Sequence, residues 1–512
     1  MSEVRGGEQE APEGFGARVR NALAWRWGSQ LAAQFITWGS TLIVVRLLDP
    51  SDYGLFAMSQ VFVTALNFLN GWSFASSLIQ AEKVGQREIG QVFALLLVTN
   101  GMLAMTQFAF APVVADYYGQ AAVADLLRVQ ALIFLTMPFS ALPTALLARR
   151  LEFRSQGIAN LVAAIVASLT ALGLAWAGFG VWALVYAPIA LFGVRGLIMS
   201  IAARLWVRPV FDLRGAGRLM GFGGALTLCQ LFWIIQSQSD IFIAGRLFDT
   251  HDLGLYSEAL FLTLIVTGRF IPPLNEVAFP AYAELHKSGR SLGPYFLKTV
   301  QIVLLVVSPI YIGLALTAPE AILVIFGPKW VEMTPIVAGL AVVMPLMAVQ
   351  IICSPTCTAT GKERIYLATS IAGAAIFATS FYIGVRFGPQ GLVHAWWVAA
   401  PLLLAFTLAL TLPQIDLSIQ RLLGGAVPPI AACAVMALAV FGLRLMLPGD
   451  LPAPITLAIL ACGGAATYAG VLLLVWPDVV RSGIAMLRQR PASPMPPASG
   501  QAPFNQTGSI GD

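Results

Sequence analysis

The sequence predicts an all-α polytopic membrane protein with two parallel six-helix lobes, two further C-terminal transmembrane helices and about 14 spans. Three observations lead to this fold class. Of the 512 residues, 58% are apolar and 11% are charged, and the mean hydropathy is +0.79. Runs of about 20 apolar residues, the length that crosses a bilayer, recur along the chain. One hairpin sequence also occurs twice, with an even number of spans between its copies.

The small fraction of charged residues indicates the class of protein. About a quarter of the residues of a soluble domain are charged, so this chain has too few charges to cover a surface in water. The short period-two segments of a β-barrel are not found in the sequence. The predicted spans are residues 28–48, 54–80, 89–110, 123–147, 156–177, 179–202, 217–245, 253–275, 295–317, 331–354, 365–385, 390–412, 425–446 and 453–476.

The positions of the lysines and arginines predict the orientation. Three of the 30 (Arg128, Arg195 and Arg269) lie away from the span ends, and of the other 27, which lie in loops or within four residues of a span end, one side of the membrane receives 22 and the other receives five. The positive-inside rule therefore predicts a multi-pass membrane protein with both termini in the cytoplasm. Residues 1–27 are polar and read as a cytoplasmic segment, not a signal peptide. Residues 477–512 are rich in Pro, Gly and Ser and predict a disordered cytoplasmic tail.

The duplicated hairpin defines the repeat. Residues 46–56 read RLLDPSDYGLF and residues 246–256 read RLFDTHDLGLY, with six of eleven positions identical. A second pair, FGVWALVYA at 179–187 and FGPQGLVHA at 387–395, matches at five of nine positions. Six spans in each copy return the chain to the same side, so the repeat is parallel, with its axis along the membrane normal. The predicted lobes are residues 28–210 and 211–420, followed by two extra helices in 421–476.

The repeated hairpin has two readings. Its Asp, Pro and Gly residues are ordinary turn and cap residues between helices, which favours a purely structural role. A duplicated hairpin at the outer face of a two-lobed transporter could instead form an outer gate or hinge. The residues concerned are Arg46, Asp49, Asp52, Gly54, Arg246, Asp249, Asp252 and Gly254.

The sequence contains no catalytic signature. Walker A, HExxH and G-x-S-x-G motifs are missing, and the predicted outer loops are too short for an enzymatic domain, so we expect no enzyme activity. The five cysteines all lie in apolar stretches without His or acidic neighbours, and we expect no metal site and no cofactor. The net charge of +5 gives no reason to expect a nucleic-acid partner.

Polar residues inside the spans are the candidate binding residues. Charge at bilayer depth is costly unless it meets a cavity or a partner. Arg269 is permanently charged and is the strongest candidate for lining a cavity. Asp240 is either a cavity residue or an internal partner for an arginine, and for each amide interhelical packing is the alternative. The full set of cavity candidates is Arg269, Arg26, Asp240, Gln236, Asn67 and Asn70.

Three segments carry a family resemblance. D-x-x-x-x-G-R-L-x-x-x-x-x-L-G-L-Y at 240–256, EVAFPAYAEL at 276–285 and FGVWALV at 179–185 resemble the polysaccharide-transporter branch of the multidrug/oligosaccharidyl-lipid/polysaccharide (MOP) exporter superfamily. The chain looks most like Wzx-type lipid-linked oligosaccharide flippases. The resemblance covers roughly residues 20–420 and implies a MATE-like V-shaped fold with a cationic cavity, which Arg269 and Arg26 fit by location.

The resemblance also implies a function. Such proteins move undecaprenyl-pyrophosphate-linked oligosaccharides from the inner to the outer leaflet by alternating access, for exopolysaccharide, capsule or lipopolysaccharide O-antigen synthesis. The implied partners are that lipid-linked glycan, membrane lipid, a polysaccharide polymerase and glycosyltransferases, and H⁺ or Na⁺ as a coupling ion. Two alternatives stay open: a drug/cation antiporter of the same fold, and a non-transporting scaffold for polysaccharide assembly. No Asp or Glu lies deep in the first six spans, which favours an anionic substrate over a cation.

Overall fold

The structure, a computed structural model, describes residues 13–70, 75, 78, 85–150, 152–205, 207–211, 224–479 and 481. Side chains are described for the same residues apart from 13–27, 224–229 and 363. Within these ranges the secondary structure is helical, without strands. Most of the predicted tail and the first twelve residues lie outside the described residues.

Eight helices are given with their bounds in the described residues of the first half of the chain. In chain order they are α1 (Glu13–Leu47), α2 (Pro50–Asn67), α3 (Gln86–Tyr118), α4 (Ala121–Gln130), α5 (Leu132–Thr136), α6 (Pro138–Arg149), α7 (Phe153–Trp176) and α8 (Trp182–Ala202).

The second half continues the numbering. Its helices are α9 (Gly224–Leu247), α10 (Thr250–Lys287), α11 (Gly293–Leu316), α12 (Ala318–Ile325), α13 (Thr334–Ala359), α14 (Glu363–Gly384) and α15 (Gly388–Thr411), with a 3₁₀ turn at Pro328–Met333; the last two are α16 (Ile419–Met446) and α17 (Ala453–Val475).

Ten helical segments in the described part of the chain are long and apolar enough to cross a membrane. One of them, Arg364–Ile415, covers two predicted spans, so the ten account for eleven of the predicted segments. The other three predicted spans fall on α1, α2 and α9, which are less apolar than the ten segments. Large side chains such as Phe35, Trp176 and Leu474 are 73%, 85% and 85% exposed, as expected of surfaces that face lipid.

Three predicted segments differ from the helices observed. Within the span predicted at 54–80, α2 ends at Asn67, and residues 75 and 78 are again helical; the other residues of 71–80 lie outside the described residues. The span predicted at 123–147 is three consecutive short helices, α4 to α6. The span predicted at 253–275 continues beyond its predicted end, because α10 runs unbroken through Pro272 and Pro273 to Lys287.

The two halves use the same pairs of neighbours. In the first half α1 packs on α7, α7 on α8, and α6 on α8. In the second half the corresponding helices pair in the same order: α9 with α14, α14 with α15, and α13 with α15. Between the halves, the main packing contact joins α2 and α10, the two helices that begin with the repeated motif.

The last two helices pack beside the second half. Helix α16 packs on α11, and α17 packs on α16 and α12. The Arg444 guanidinium forms a 2.5 Å ion pair with the Glu320 carboxylate and so ties the end of α16 to the start of α12. The apolar cluster around Cys433, Met436 and Tyr468 fills the space between α16 and α17. These helices therefore flank one half and do not separate the two halves.

Candidate functional site

Both copies of the repeated motif lie at one end of the helix bundle, which we call the motif end. In the first copy, the Asp52 carboxylate accepts from the backbone N–H of Asp49 at 3.1 Å and from that of Val181 at 2.9 Å. Because Val181 belongs to the second repeated segment, Asp52 joins the two motifs of the first half. In the second copy, the Asp249 carboxylate caps α10 by accepting from the Asp252 N–H at 2.7 Å.

The backbones of α2 and α10 touch at Gly54 and Gly254. A Cβ at Gly54 would lie 1.9 Å from the Thr250 carbonyl oxygen, and one at Gly254 would lie 1.8 Å from the Pro50 carbonyl oxygen. The contact is reciprocal, because Gly54 meets Thr250 while Gly254 meets Pro50. A local two-fold axis therefore passes between the glycines, as expected for a parallel repeat. Only glycine permits this approach.

The arginines of the motif each reach the opposite half. Arg46 donates to the carbonyl oxygens of Val324 and Ile325, the latter at 3.0 Å, at the end of α12. Arg246 lies over the Tyr117 ring of α3, with its guanidinium carbon 5.0 Å from the ring centroid. The two positions are equivalent by sequence, and both hold the halves together, one through backbone carbonyls and the other through an aromatic face.

The 3₁₀ turn at Pro328–Met333 adds further links across the motif end. The Lys329 ammonium lies 2.7 Å from the Asp49 carboxylate. The Trp330 indole N–H donates to the Val45 carbonyl oxygen at 2.9 Å, and its ring meets the Tyr53 ring edge-on at 5.3 Å. His251 pairs with Glu332 at 3.2 Å within the second half. The halves are therefore joined at this end by backbone, aromatic and charged contacts.

Arg269 lies on the face of α10 that turns toward the first half. The contact of Gly254 with α2 identifies this face. Arg269 lies about four turns, or about 22 Å, further along the helix. Its side chain is exposed and makes no hydrogen bond or ion pair with any described residue. A permanently charged, exposed guanidinium on this face is available to a ligand between the halves.

Asp240 is held inside the second half. It is 1% exposed, and its carboxylate accepts from the Tyr256 hydroxyl at 2.9 Å and from the Ile241 N–H at 2.8 Å. The Tyr256 oxygen in turn accepts from the Trp396 indole N–H at 2.9 Å. Of the two sequence-based readings, a cavity residue or an internal partner for an arginine, the second is replaced by a tyrosine partner in the structure. The chain Trp396–Tyr256–Asp240 links α15, α10 and α9.

Gln236 lines a cavity of about 310 Å³ within the second half, between α9, α10, α13, α14 and α15. The lining is rich in amides and hydroxyls, including Asn275, Gln350, Thr369 and Thr407. The side-chain oxygens of Asn275 and Thr407 are buried without a hydrogen-bond partner among the described residues. This polar cavity is separate from the face of α10 that carries Arg269.

Asn67 and Asn70 lie at the end of α2. The Asn70 amide donates to the Asn67 side-chain oxygen at 3.0 Å, and the Asn100 amide donates to the Asn70 carbonyl oxygen at 2.9 Å. These contacts tie the broken end of α2 to α3 and have the character of interhelical packing. Arg26 lies in α1, but its side chain is outside the described residues. The structure therefore does not bring together in one place the five cavity candidates whose side chains it describes.

Three residues at the site were not selected from the sequence. Lys329 and Trp330 gain their importance only from contacts with residues almost 300 positions earlier, so no local pattern identifies them. Glu258 is different, because it is the only acidic residue in the predicted span 253–275. An acid inside an apolar segment is a signal that sequence reasoning could have used.

We expect that Tyr256→Phe lowers stability by about 1–3 kcal/mol, because the buried Asp240 carboxylate loses a donor and the Trp396 N–H loses its acceptor. Thermal unfolding of the purified protein in detergent measures the effect. Tyr468→Phe is the matched control, since the Tyr468 hydroxyl donates only to the Leu305 carbonyl oxygen. Equal losses in the two variants would contradict a special role for the Asp240 network.

Comparison with known proteins gives a consistent set of relatives. The sequence profile described as "Polysaccharide biosynthesis protein" matches residues 43–335. The teichuronic acid biosynthesis protein TuaB of Bacillus subtilis (strain 168) is 25% identical over 422 residues, covering 79% of this chain and 85% of the relative. The succinoglycan biosynthesis transport protein ExoT of Rhizobium meliloti (strain 1021) is 24% identical over 63% of this chain.

The lipopolysaccharide biosynthesis protein WzxC of Escherichia coli (strain K12) is 23% identical over 60% of this chain. The matches span 65% of the length of ExoT and 63% of that of WzxC, slightly less than two thirds in each case.

Two solved structures share the fold. The lipid II flippase MurJ in an inward closed conformation superposes with a TM-score of 0.68 at 13% identity, covering 88% of this chain and 99% of that structure. An inward-facing multidrug resistance MATE family transporter of the MOP superfamily has a TM-score of 0.59 at 16% identity, covering 75% and 94% respectively. At these identities the likeness is one of fold.

Proposed function

We propose a transport function for this chain from the premise that it belongs to the polysaccharide biosynthesis protein family, in the polysaccharide-transporter branch of the MOP exporter superfamily. The protein is a multi-pass membrane protein with a MATE-like fold. Our proposal is that it is a flippase for undecaprenyl-pyrophosphate-linked oligosaccharides. It would move these repeat units from the inner to the outer leaflet of the bacterial inner membrane for surface polysaccharide synthesis.

The observation that carries the proposal is the position of Arg269. It lies exposed on the face of α10 toward the first half, about 22 Å from the contact at Gly254. A pyrophosphate cannot cross hydrocarbon unaided, because its charges would lose their water. A guanidinium replaces that hydration with charge-assisted hydrogen bonds to phosphate oxygens. The lipid tail can remain in the bilayer while the glycan passes between the halves.

We further propose that residues 28–210 and 211–420 act as two rocking lobes, and that the motif end faces the periplasm. The halves meet at the motif end through Gly54 and Gly254. Under this proposal, that contact closes the outer mouth. Outward movement of about two negative charges would be favoured by an inside-negative potential, by about 2.3 kcal/mol per charge per 100 mV. Opening of the motif end would then release the glycan outside.

Reconstitution tests the function directly. Purified protein in liposomes is given a fluorescent undecaprenyl-pyrophosphate oligosaccharide in one leaflet, and its exchange is followed by quenching from outside. We expect exchange at least tenfold faster than in protein-free liposomes under an imposed potential. Exchange no faster than in empty liposomes, under proton and sodium gradients of both directions, would contradict the flippase. Export of a cationic dye by the same liposomes would favour an antiporter instead.

A further inference from the structure

The polar cavity of the second half leaves hydrogen-bonding groups in its own walls unpaired. Its volume of about 310 Å³ is at the lower end of the range of about 300–1,000 Å³ that ligand pockets span. Thr407 is 3% exposed, and its hydroxyl oxygen has no partner among the described residues. The side-chain oxygen of Asn275 is buried and unpaired in the same way. Because a buried polar atom without a hydrogen bond is costly, these two atoms point to an occupant of the cavity.

The walls of the cavity favour an uncharged occupant that is rich in hydroxyl groups. All the lining residues that the structure describes are uncharged, so an ion inside would lose its hydration without meeting a counter-charge. The amides of Gln236, Asn275 and Gln350 can both donate and accept hydrogen bonds. The rings of Trp233 and Trp396 add apolar faces. A sugar ring offers the matching surfaces, hydroxyl groups at its edge and C–H groups on its face.

Gln236 projects into the cavity where α14 has a glycine. A Cβ at Gly373 would overlap the Gln236 side-chain oxygen, so the amide has its place because this position lacks a side chain. Gln236 makes no hydrogen bond with the residues that the structure describes. Its donors and its acceptor are therefore available to an occupant of the cavity.

Trp233 stands between the cavity and the first half of the chain. Its ring lines the cavity and also meets the Phe68 ring of α2 edge-on, with the ring centroids 5.5 Å apart. Trp233 is 46% exposed and Phe68 is 40% exposed, so the contact lies at the surface of both halves. A rocking movement that separates these two rings therefore gives a ligand between the halves access to the cavity.

The cavity lies at the same depth as Arg269. On α10 the residues Leu264 and Asn275 line the cavity, and Arg269 lies between them, about 8 Å along the helix from the first and about 9 Å from the second. Arg269 is on a different face of α10, toward the first half. A pyrophosphate bound by Arg269 consequently brings the nearest sugars of its glycan to the level of the cavity.

We propose that this cavity binds an uncharged sugar residue close to the pyrophosphate of the substrate, with Trp233 at its entrance. The inference rests on the proposed flippase function and identifies where the glycan is recognised. Gln236, Asn275 and Thr407 form hydrogen bonds with the sugar hydroxyls, and the Trp233 ring covers the apolar face of the sugar. Two faces of α10 then divide the substrate, since Arg269 binds the pyrophosphate and the cavity binds the sugar.

The test compares two lipids in the liposome assay: undecaprenyl pyrophosphate with an uncharged trisaccharide, and undecaprenyl pyrophosphate without sugar. We expect the wild type to move the glycosylated lipid with a kcat/KM at least tenfold higher. Thr407→Val and Gln236→Leu should each lower this preference about fivefold, as expected for the loss of one hydrogen bond. Arg269→Ala should slow both lipids and keep the preference. Because the preference is a ratio within one variant, it does not depend on the amount of folded protein.

Thr356→Val is the matched control. The Thr356 hydroxyl is also buried without a partner among the described residues, but Thr356 does not line the cavity, so its variant should keep the wild-type preference. An unchanged preference in both cavity variants, or an equal fall in Thr356→Val, would overturn the sugar site while leaving the flippase intact. Equal transport of a lipid whose sugar nearest the pyrophosphate is a uronic acid would overturn the requirement for an uncharged sugar. Failure of the wild type to move either lipid would overturn the proposed function on which the site rests.

Discussion

Gly254→Val should stop transport and leave the motif end open. A Cβ at this position would lie 1.8 Å from the Pro50 carbonyl oxygen, and valine adds two methyl groups to it. The close approach of α2 and α10 then cannot form, whereas a conformation with the motif end apart is unaffected. A shift of a two-state equilibrium from 1:99 to 99:1 takes about 5.5 kcal/mol, which such an overlap readily exceeds. We expect transport to fall at least a hundredfold.

Two measurements separate trapping from misfolding. Flipping in liposomes reports the loss of transport. Labelling of Val61→Cys, in a background without the five native cysteines, by a membrane-impermeant maleimide reports whether the motif end is open. Val61 is buried in the structure, so its labelling should be slow in the parent and fast with Gly254→Val.

Gly54→Val should behave like Gly254→Val because the contact is reciprocal. Gly101→Val in α3 is the control, since a Cβ there meets nothing within 4 Å. Normal transport by the Gly254 variant would show that this contact is not part of the transport cycle.

Arg269→Ala should abolish export while leaving protein level and insertion unchanged. The side chain makes no described contact within the protein, so its removal should cost little stability. A pyrophosphate between the halves would lose its charge-assisted hydrogen bonds, and removal of one partner of such a pair costs about 2–5 kcal/mol. This corresponds to a loss of at least thirtyfold in transport rate.

The conservative variant makes this test more specific. Arg269→Lys keeps the charge but loses the planar fork of donors, and we expect partial activity. Arg421→Ala, which removes an exposed arginine near the start of α16, should transport normally. Full export by Arg269→Ala in the presence of intact Gly54 and Gly254 would exclude Arg269 from the substrate path.

Sequence reasoning predicted the membrane class and the repeat well, because both depend on patterns that persist over hundreds of residues. The repeated hairpin marked where α2 and α10 begin. The hairpin sequence did not show whether Gly54 and Gly254 belong only to helix caps or also to a contact between the halves, because glycine suits both roles. The close approach of the α2 and α10 backbones in the structure shows the contact.

The local errors have physical causes. Pro272 and Pro273 lack the N–H that a helix uses, yet the turns around them keep α10 in one piece beyond the predicted end of the span at residue 275. The partner of Asp240 could not be read from the sequence, because Trp396 joins it through Tyr256 from 140 residues further along the chain. Arg269 could be selected because charge within an apolar span stands out without any knowledge of contacts.

Because the contact at Gly54 and Gly254 is reciprocal, each half contains both kinds of group that form it. Each half supplies one glycine and one carbonyl oxygen four residues before it, and it receives the same two groups in return. Two copies of a single half could therefore meet in the same way as the two halves of this chain do. The two halves of this single polypeptide therefore contact each other as the subunits of a homodimer do. The linker between the halves need not specify how their motif ends fit together.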